Sequence, residues 1–126
     1  MDPIADMLTT IRNAILIKRY SCSVTYSNVK WHILKLMEEL KLIDGIARDE
    51  KANTITFNLV QEKDSSVRMK ALNRLSSPGR RMYVGWKAIP RPTGNGLIIV
   101  STSQGVMTGK LARQRHLGGE LICEIF

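Results

Sequence analysis

Residues 54–59 read Thr-Ile-Thr-Phe-Asn-Leu, polar and apolar in strict alternation. A period of two buries one face of a strand and no face of a helix, so the stretch predicts a half-buried strand that needs partners. Residues 43–48 supply one across a polar turn and predict a hairpin. Upstream the period changes. Ile4, Met7, Leu8, Ile11 and Ile15 recur at helical spacing behind Asp2-Pro3, a favoured cap followed by the residue best tolerated at a first helical position. Residues 22–26 predict a short strand around the β-branched Val24 and Thr25. Ser27 or Asn28 then caps a second helix to about residue 42. Its apolar stripe is Val29, Ile33, Leu34, Met37 and Leu40, with Lys30, Lys35 and Lys41 off that stripe and Trp31 and His32 at its boundary. The order is α-β-α-β-β.

The second half is punctuated differently. Residues 61–66 are polar and read as a linker. Residues 67–75 fit either a strand or a helix. Ser77-Pro78-Gly79-Arg80 predicts a type II turn, with Pro presetting φ and Gly accepting a positive one. Residues 81–84 predict a strand, Gly94-Asn95-Gly96 a turn, and residues 97–100 a strand buried on both faces. Residues 101–105 read as a polar loop, Thr108 as the cap of a short basic helix through Arg115, and residues 120–126 as a last strand after Gly118-Gly119. The fold class is α+β. It comprises an N-terminal α/β lobe over 1–62 and a C-terminal lobe over 66–126, mainly β with a short helix.

Charge divides the chain at the same place. Residues 1–65 hold 9 basic and 9 acidic side chains, whereas residues 66–126 hold 10 basic and 2 acidic, so the whole excess of +8 lies in the second half. A neutral half joined to a basic half predicts a polyanion partner for the second. No basic amphipathic helix concentrates the charge, and the longest apolar runs, such as residues 97–100, are four residues long. A membrane surface and a membrane span are therefore both disfavoured. The opening Met1-Asp2-Pro3 lacks the basic start of a signal peptide. Cys22 and Cys123 stand at opposite ends of the chain and predict two reduced thiols rather than a metal site or a disulfide framework.

Catalytic motifs fail on spacing. Gly105-Val106-Met107-Thr108-Gly109-Lys110 has three residues between its glycines, and Leu111 follows the lysine. A phosphate loop needs four residues there and a hydroxyl after the lysine. Ser101 and Ser103 are candidate nucleophiles, but of the two glycines of a nucleophile elbow only the second is present, Gly105 beyond Ser103, and His116 has no Asp in residues 66–126 to orient it, leaving only Glu120 and Glu124. Nucleic-acid binding fits better. Ser101-Thr102-Ser103-Gln104 offers groups that both donate and accept, suited to base edges and ribose hydroxyls. Arg80, Arg81, Lys87, Arg91, Lys110, Arg113 and Arg115 flank the stretch as phosphate partners. Tyr83 and Trp86 either stack on bases or pack in the core, and Arg12-Asn13 either touches phosphate or faces solvent.

The stretch Ser101-Thr102-Ser103-Gln104-Gly105-Val106-Met107-Thr108 strongly resembles the signature of the eighth protein of the small ribosomal subunit, bacterial and plastid type. Asp2-Pro3-Ile4-Ala5-Asp6-Met7-Leu8-Thr9 and Ile11-Arg12-Asn13 resemble that family's opening. Pro78-Gly79 with Arg81 and Tyr83 resembles its middle, and Leu117-Gly118-Gly119-Glu120 with Ile122-Cys123 its ending. The resemblance implies two small α/β lobes and a structural, non-enzymatic RNA binder that supports small-subunit assembly. Ser101, Thr102 and Ser103 would contact a bulged helix in the central domain of small-subunit ribosomal RNA. Tyr83 and Glu120 would support or join that surface, and Arg12, Asn13 and Lys30 would be contacts of the N-terminal lobe. Implied partners are that RNA and neighbouring small-subunit proteins. No cofactor, metal, membrane or small-molecule substrate is expected. The alternative is a free regulator of translation acting on messenger RNA, since some family members bind messenger RNA. Ser77 and Gln104 depart from the Arg and Lys common in the family, and Gln104 with Phe126 resembles plastid-encoded copies. The expected setting is thus the ribosome of a bacterial cytoplasm or a plastid stroma, with a lean to the plastid.

Overall fold

The computed structural model describes residues 2–64, 67–92 and 96–126. The turn expected at Gly94-Asn95-Gly96 lies, for its first two residues, outside the described residues, as do Ser65 and Ser66 of the polar stretch. The elements run α1 (Pro3–Leu16), β1 (Ser21–Thr25), α2 (Asn28–Glu39), β2 (Ile43–Asp49), β3 (Thr54–Leu59), β4 (Leu72–Arg74), β5 (Tyr83–Val84), a 3-10 turn (Trp86–Ala88), β6 (Leu97–Thr102), β7 (Gly105–Thr108), α3 (Gly109–Gln114) and β8 (Gly119–Ile125). They form two compact units, Pro3–Lys70 and Ala71–Phe126, with Asp2 belonging to the second.

In the first unit β3 is the middle strand of three, antiparallel to β1 and to β2. Its alternation is realised as written: Ile55, Phe57 and Leu59 are buried. Helix α1 packs on β1 and α2, and α2 packs on β2. Met7, Leu8, Ile11, Ile33, Leu34 and Met37 are the fully buried helix residues, each stabilising the fold by about 1.5–3 kcal/mol if its area is counted at full burial. Ser27 is the cap of α2, its side chain accepting from the Lys30 N–H at 3.2 Å. Three details of α2 differ from expectation. The helix ends at Glu39, because Lys41 turns left-handed (φ 61) and lets the Leu42 N–H reach the Met37 carbonyl at 2.9 Å. Val29, placed on the apolar stripe, is 46% exposed. Lys30, placed off it, is buried instead.

The second unit is built around β8. Its sheet runs β4-β8-β6-β7, with β5 also on β8, and all pairs are antiparallel. Ile89, Ile98, Val100, Met107, Ala112 and Leu121 form its core, covered by Met82, Val84, Trp86 and Leu117 among others. Residues 67–75 contribute one short strand, β4. The strand expected over 81–84 is confined to Tyr83 and Val84, the two residues that face Glu120 and Gly119 across the ladder. The turn at Ser77–Arg80 is closed by reciprocal backbone bonds of 3.0 Å, but Gly79 has no positive φ, so it is not type II. The loop expected over 101–105 is a tight hairpin. Ser101 and Thr102 complete β6, Gly105 opens β7, and only Ser103 and Gln104 turn. Ladder partners on both sides, Val106 and Glu120 for Ser101, satisfy the backbone that a loop would leave to water. Gly105 has φ 115 and its two predecessors have no positive φ, so the two-residue turn is of neither primed type usual in hairpins.

Gly119 permits the close approach of β8 to β6. A β-carbon there would overlap the Ser101 carbonyl oxygen, a backbone atom that cannot swing aside. Gly119→Ala is therefore expected to lower stability by about 1–3 kcal/mol through overpacking. Gly79→Ala, with nothing within 4 Å of the added carbon, should stay within about 0.5 kcal/mol of wild type. Urea midpoints of the two variants check this, and equal midpoints would contradict the tight approach.

Candidate nucleic-acid interface

Antiparallel register gathers residues distant in sequence. Tyr83 faces Glu120, Glu120 faces Ser101, and Ser101 faces Val106, so the four form one row across β5, β8, β6 and β7. Directly opposed residues project from the same face, and the row spans three strand spacings, about 14 Å. Tyr83 is 68% exposed, which settles the alternatives for this aromatic in favour of the surface. Trp86 is half-buried against the core and stacked on His116.

Glu120 is held in place from below. Its Oε2 accepts from the Ser76 hydroxyl at 2.6 Å and from Arg81 Nη1 at 2.9 Å, and the Ser76 oxygen accepts the Met82 N–H at 3.0 Å. Neither side-chain bond uses Oε1. Ser76 is fully buried, and sequence reading passed over it. The signal available was a carboxylate in a half of the chain with only two acids, which demanded a donor nearby. Burial alone would raise the Glu120 carboxyl. The hydrogen bonds from Ser76 and Arg81 and the charges of Arg81 and Arg74 outweigh it and hold the group below its ordinary range.

The three hydroxyls of the hairpin are not equivalent. Thr102 Oγ1 donates to the Gly105 carbonyl at 2.9 Å and accepts the Gln104 N–H at 3.1 Å, so it braces the turn. Among the described residues nothing engages the side chains of Ser101, Ser103 or Gln104. Ser101 is half-buried, while Ser103 and Gln104 are exposed. The side chains of Arg80 and Lys110 are exposed and have no acceptor among the described residues, Lys110 standing in the first turn of α3 behind its cap Thr108. Arg113 is committed in part, its Nη1 donating at 3.3 Å to the carbonyls of Ile89 and Pro90.

The other predicted residues belong to the first unit. Arg12 is half-buried and reaches Thr9 Oγ1 at 3.5 Å, and Asn13 is exposed. Burial pushes the Lys30 ammonium down from its ordinary pKa, with Asp6 pulling the other way. Both thiols are free and buried. Burial pushes Cys123 up to about 12, against the opposing charge of Arg74. Among the described residues no His, Cys, Asp and Glu cluster of three or more converges as a metal site would require, and no helix is long and apolar enough to cross a membrane.

The second unit of this α+β protein thus carries a row of phenol, carboxylate and hydroxyl groups, with the Arg80 and Lys110 side chains exposed in the same unit. The sequence pattern described as Ribosomal protein S8 matches residues 2–126. The small ribosomal subunit protein uS8 of Thermodesulfovibrio yellowstonii is 42% identical over 128 residues, covering 99% of this chain and 98% of its own length. The protein of the same name from Wigglesworthia glossinidia brevipalpis is 44% identical, covering 98% and 96%. That of Nitratidesulfovibrio vulgaris is 43% identical, covering 99% and 98%. The chain belongs to the ribosomal protein S8 family, whose members are structural proteins of the small ribosomal subunit and not a class of enzymes.

Because the Glu120 carboxyl is lowered in the folded chain, the stability it contributes is fully present above the ordinary glutamate value of 4.5 and is lost as pH falls through the folded pKa. The stability advantage of wild type over Glu120→Gln should shrink as pH is taken below that value, read from urea midpoints at each pH. An advantage that stayed constant into acid would contradict the network.

Proposed function

We propose that the chain is a structural component of the small ribosomal subunit that binds the central domain of small-subunit ribosomal RNA and supports its assembly, within a bacterial or plastid ribosome. The observation that carries the reading is the row Tyr83–Glu120–Ser101 continued into the open Ser103-Gln104 turn, in the half of the chain that holds the whole +8 excess. Hydroxyl, phenol and amide groups read ribose hydroxyls and unpaired base edges. Arg80, Arg81, Lys110 and Arg113 would neutralise phosphates around them, and Thr102 would act by holding the turn. Glu120, anchored by Ser76 and Arg81, would accept from an RNA donor through Oε1 while positioning Arg81. Arg12, Asn13 and Lys30 would be the contribution of the first unit, Lys30 the least because it is buried. Neighbouring small-subunit proteins would complete its surroundings, and no small-molecule substrate is involved.

Co-sedimentation with the small subunit through a high-salt wash tests the role. Recovery in the subunit fraction is expected, and recovery only among free proteins would contradict it and favour a free regulator. Two variants separate reading from attraction. Ser103→Ala removes a hydroxyl and no charge, and should cost about 1–3 kcal/mol of cognate affinity with the salt slope unchanged. Lys110→Ala should weaken cognate and unrelated RNA alike and make the slope of log K against log salt shallower by about 1. Ser103→Ala with full cognate affinity would remove that hydroxyl from the interface.

A further inference from the structure

Helix α3 closes on Arg115, and the next residue, His116, takes φ 57. Glycine is the residue that suits this left-handed position after a helix. The histidine there is doing something glycine could not: its ring lies on the indole of Trp86, centroids 4.2 Å apart and planes 23° from parallel. Trp86 is half-buried and packs against the core of the unit. The pairing is set by backbone packing, since Gly118 lies so close to the Val84 carbonyl and Gly85 that a β-carbon would overlap them. That brings the turn after β5 against the segment after α3.

The outcome is a stacked aromatic pair in which His116 is exposed. Lys87 Nζ stands 5.4 Å from the Trp86 centroid, and Lys87 and Arg115 are both exposed. Residues 66–126 hold only two carboxylates, and one of these, Glu120, is tied to Ser76 and Arg81. An exposed imidazole with basic side chains as neighbours fits a nucleobase on the ring with its phosphates on those side chains. The platform also stands near the hairpin. Val84 and Thr102 both pair with Gly119, so the root of the Trp86 turn and the closing pair of the hairpin are two strand spacings apart, about 10 Å.

We propose that Trp86 and His116, with Lys87 and Arg115, form a second RNA subsite of the C-terminal unit, a stacking platform that takes one unpaired nucleobase beside the hydroxyl hairpin. This rests on the RNA-binding reading above and adds a site to it.

The test uses the full-length protein and a transcript of the small-subunit RNA central domain from the same organism. His116→Gly removes the ring and leaves a backbone that glycine adopts freely. Its thermal unfolding midpoint should be at or above wild type, while affinity for the transcript falls by about 5- to 20-fold. His116→Phe restores a ring without a charge and should recover most of that loss. Wild-type affinity in His116→Gly would show that the stack serves only the helix end and would overturn the proposal, as would a Phe variant as weak as the Gly variant. Absence of wild-type binding to the transcript would instead overturn the RNA-binding reading itself, and the subsite with it.

Discussion

Strand β8 is the constraint on which the C-terminal unit depends. It pairs with β4 and β5 along one edge and β6 along the other. Backbone hydrogen bonds fix spacing and register together, so once β8 is seated the row Tyr83, Glu120, Ser101 follows without any attraction between those side chains. Gly119, which opens β8, and Gly118 just before it make the seating possible. Gly118 lies against Val84 and Gly85, and Gly119 against Ser101. Any side chain at either position would separate the strands that carry the row.

On that frame the polar groups divide their work. Glu120 is a carboxylate in a strongly basic half, and its partners stabilise the charged form against the cost of desolvation. The same contacts hold Arg81 beside the row. The pair is half-exposed on the arginine side, so its worth lies in orientation more than in stability. Thr102 holds the hairpin closed while Ser103 and Gln104 remain available, and Arg80 and Lys110 supply charge without being committed elsewhere among the described residues. Preformed geometry of this sort would lower the ordering cost of binding the proposed RNA partner.

The N-terminal α-β-α-β-β order was legible because period alone decides it: Ile55, Phe57 and Leu59 alternate, and Met7, Leu8 and Ile11 recur at helical spacing. The cap of α3 at Thr108 was legible for the same local reason, a hydroxyl that accepts the Leu111 N–H at 3.2 Å. What depended on partners far along the chain was not. Ser101 and Thr102 look like loop residues until β7 and β8 are placed on either side. Lys30 looks exposed by its charge, yet it is buried. Ser76 gives no local sign that its hydroxyl will meet Glu120, 44 residues away. The hydroxyl stretch itself stood out by composition, but the inequality of its three hydroxyls is a property of the turn and appears only with Gly105 at φ 115.

Amide hydrogen exchange of the full-length protein, with and without a saturating transcript of the small-subunit RNA central domain, tests whether the hydroxyl hairpin and the row beside it carry the RNA. Added protection is expected to concentrate on the Ser103 and Gln104 amides and on residues around Tyr83 and Glu120, with the largely exposed strand β2 of the first unit unchanged. Saturated binding that left Ser103 and Gln104 exchanging as in the free protein, with protection gathered on β2 and β3 instead, would contradict it.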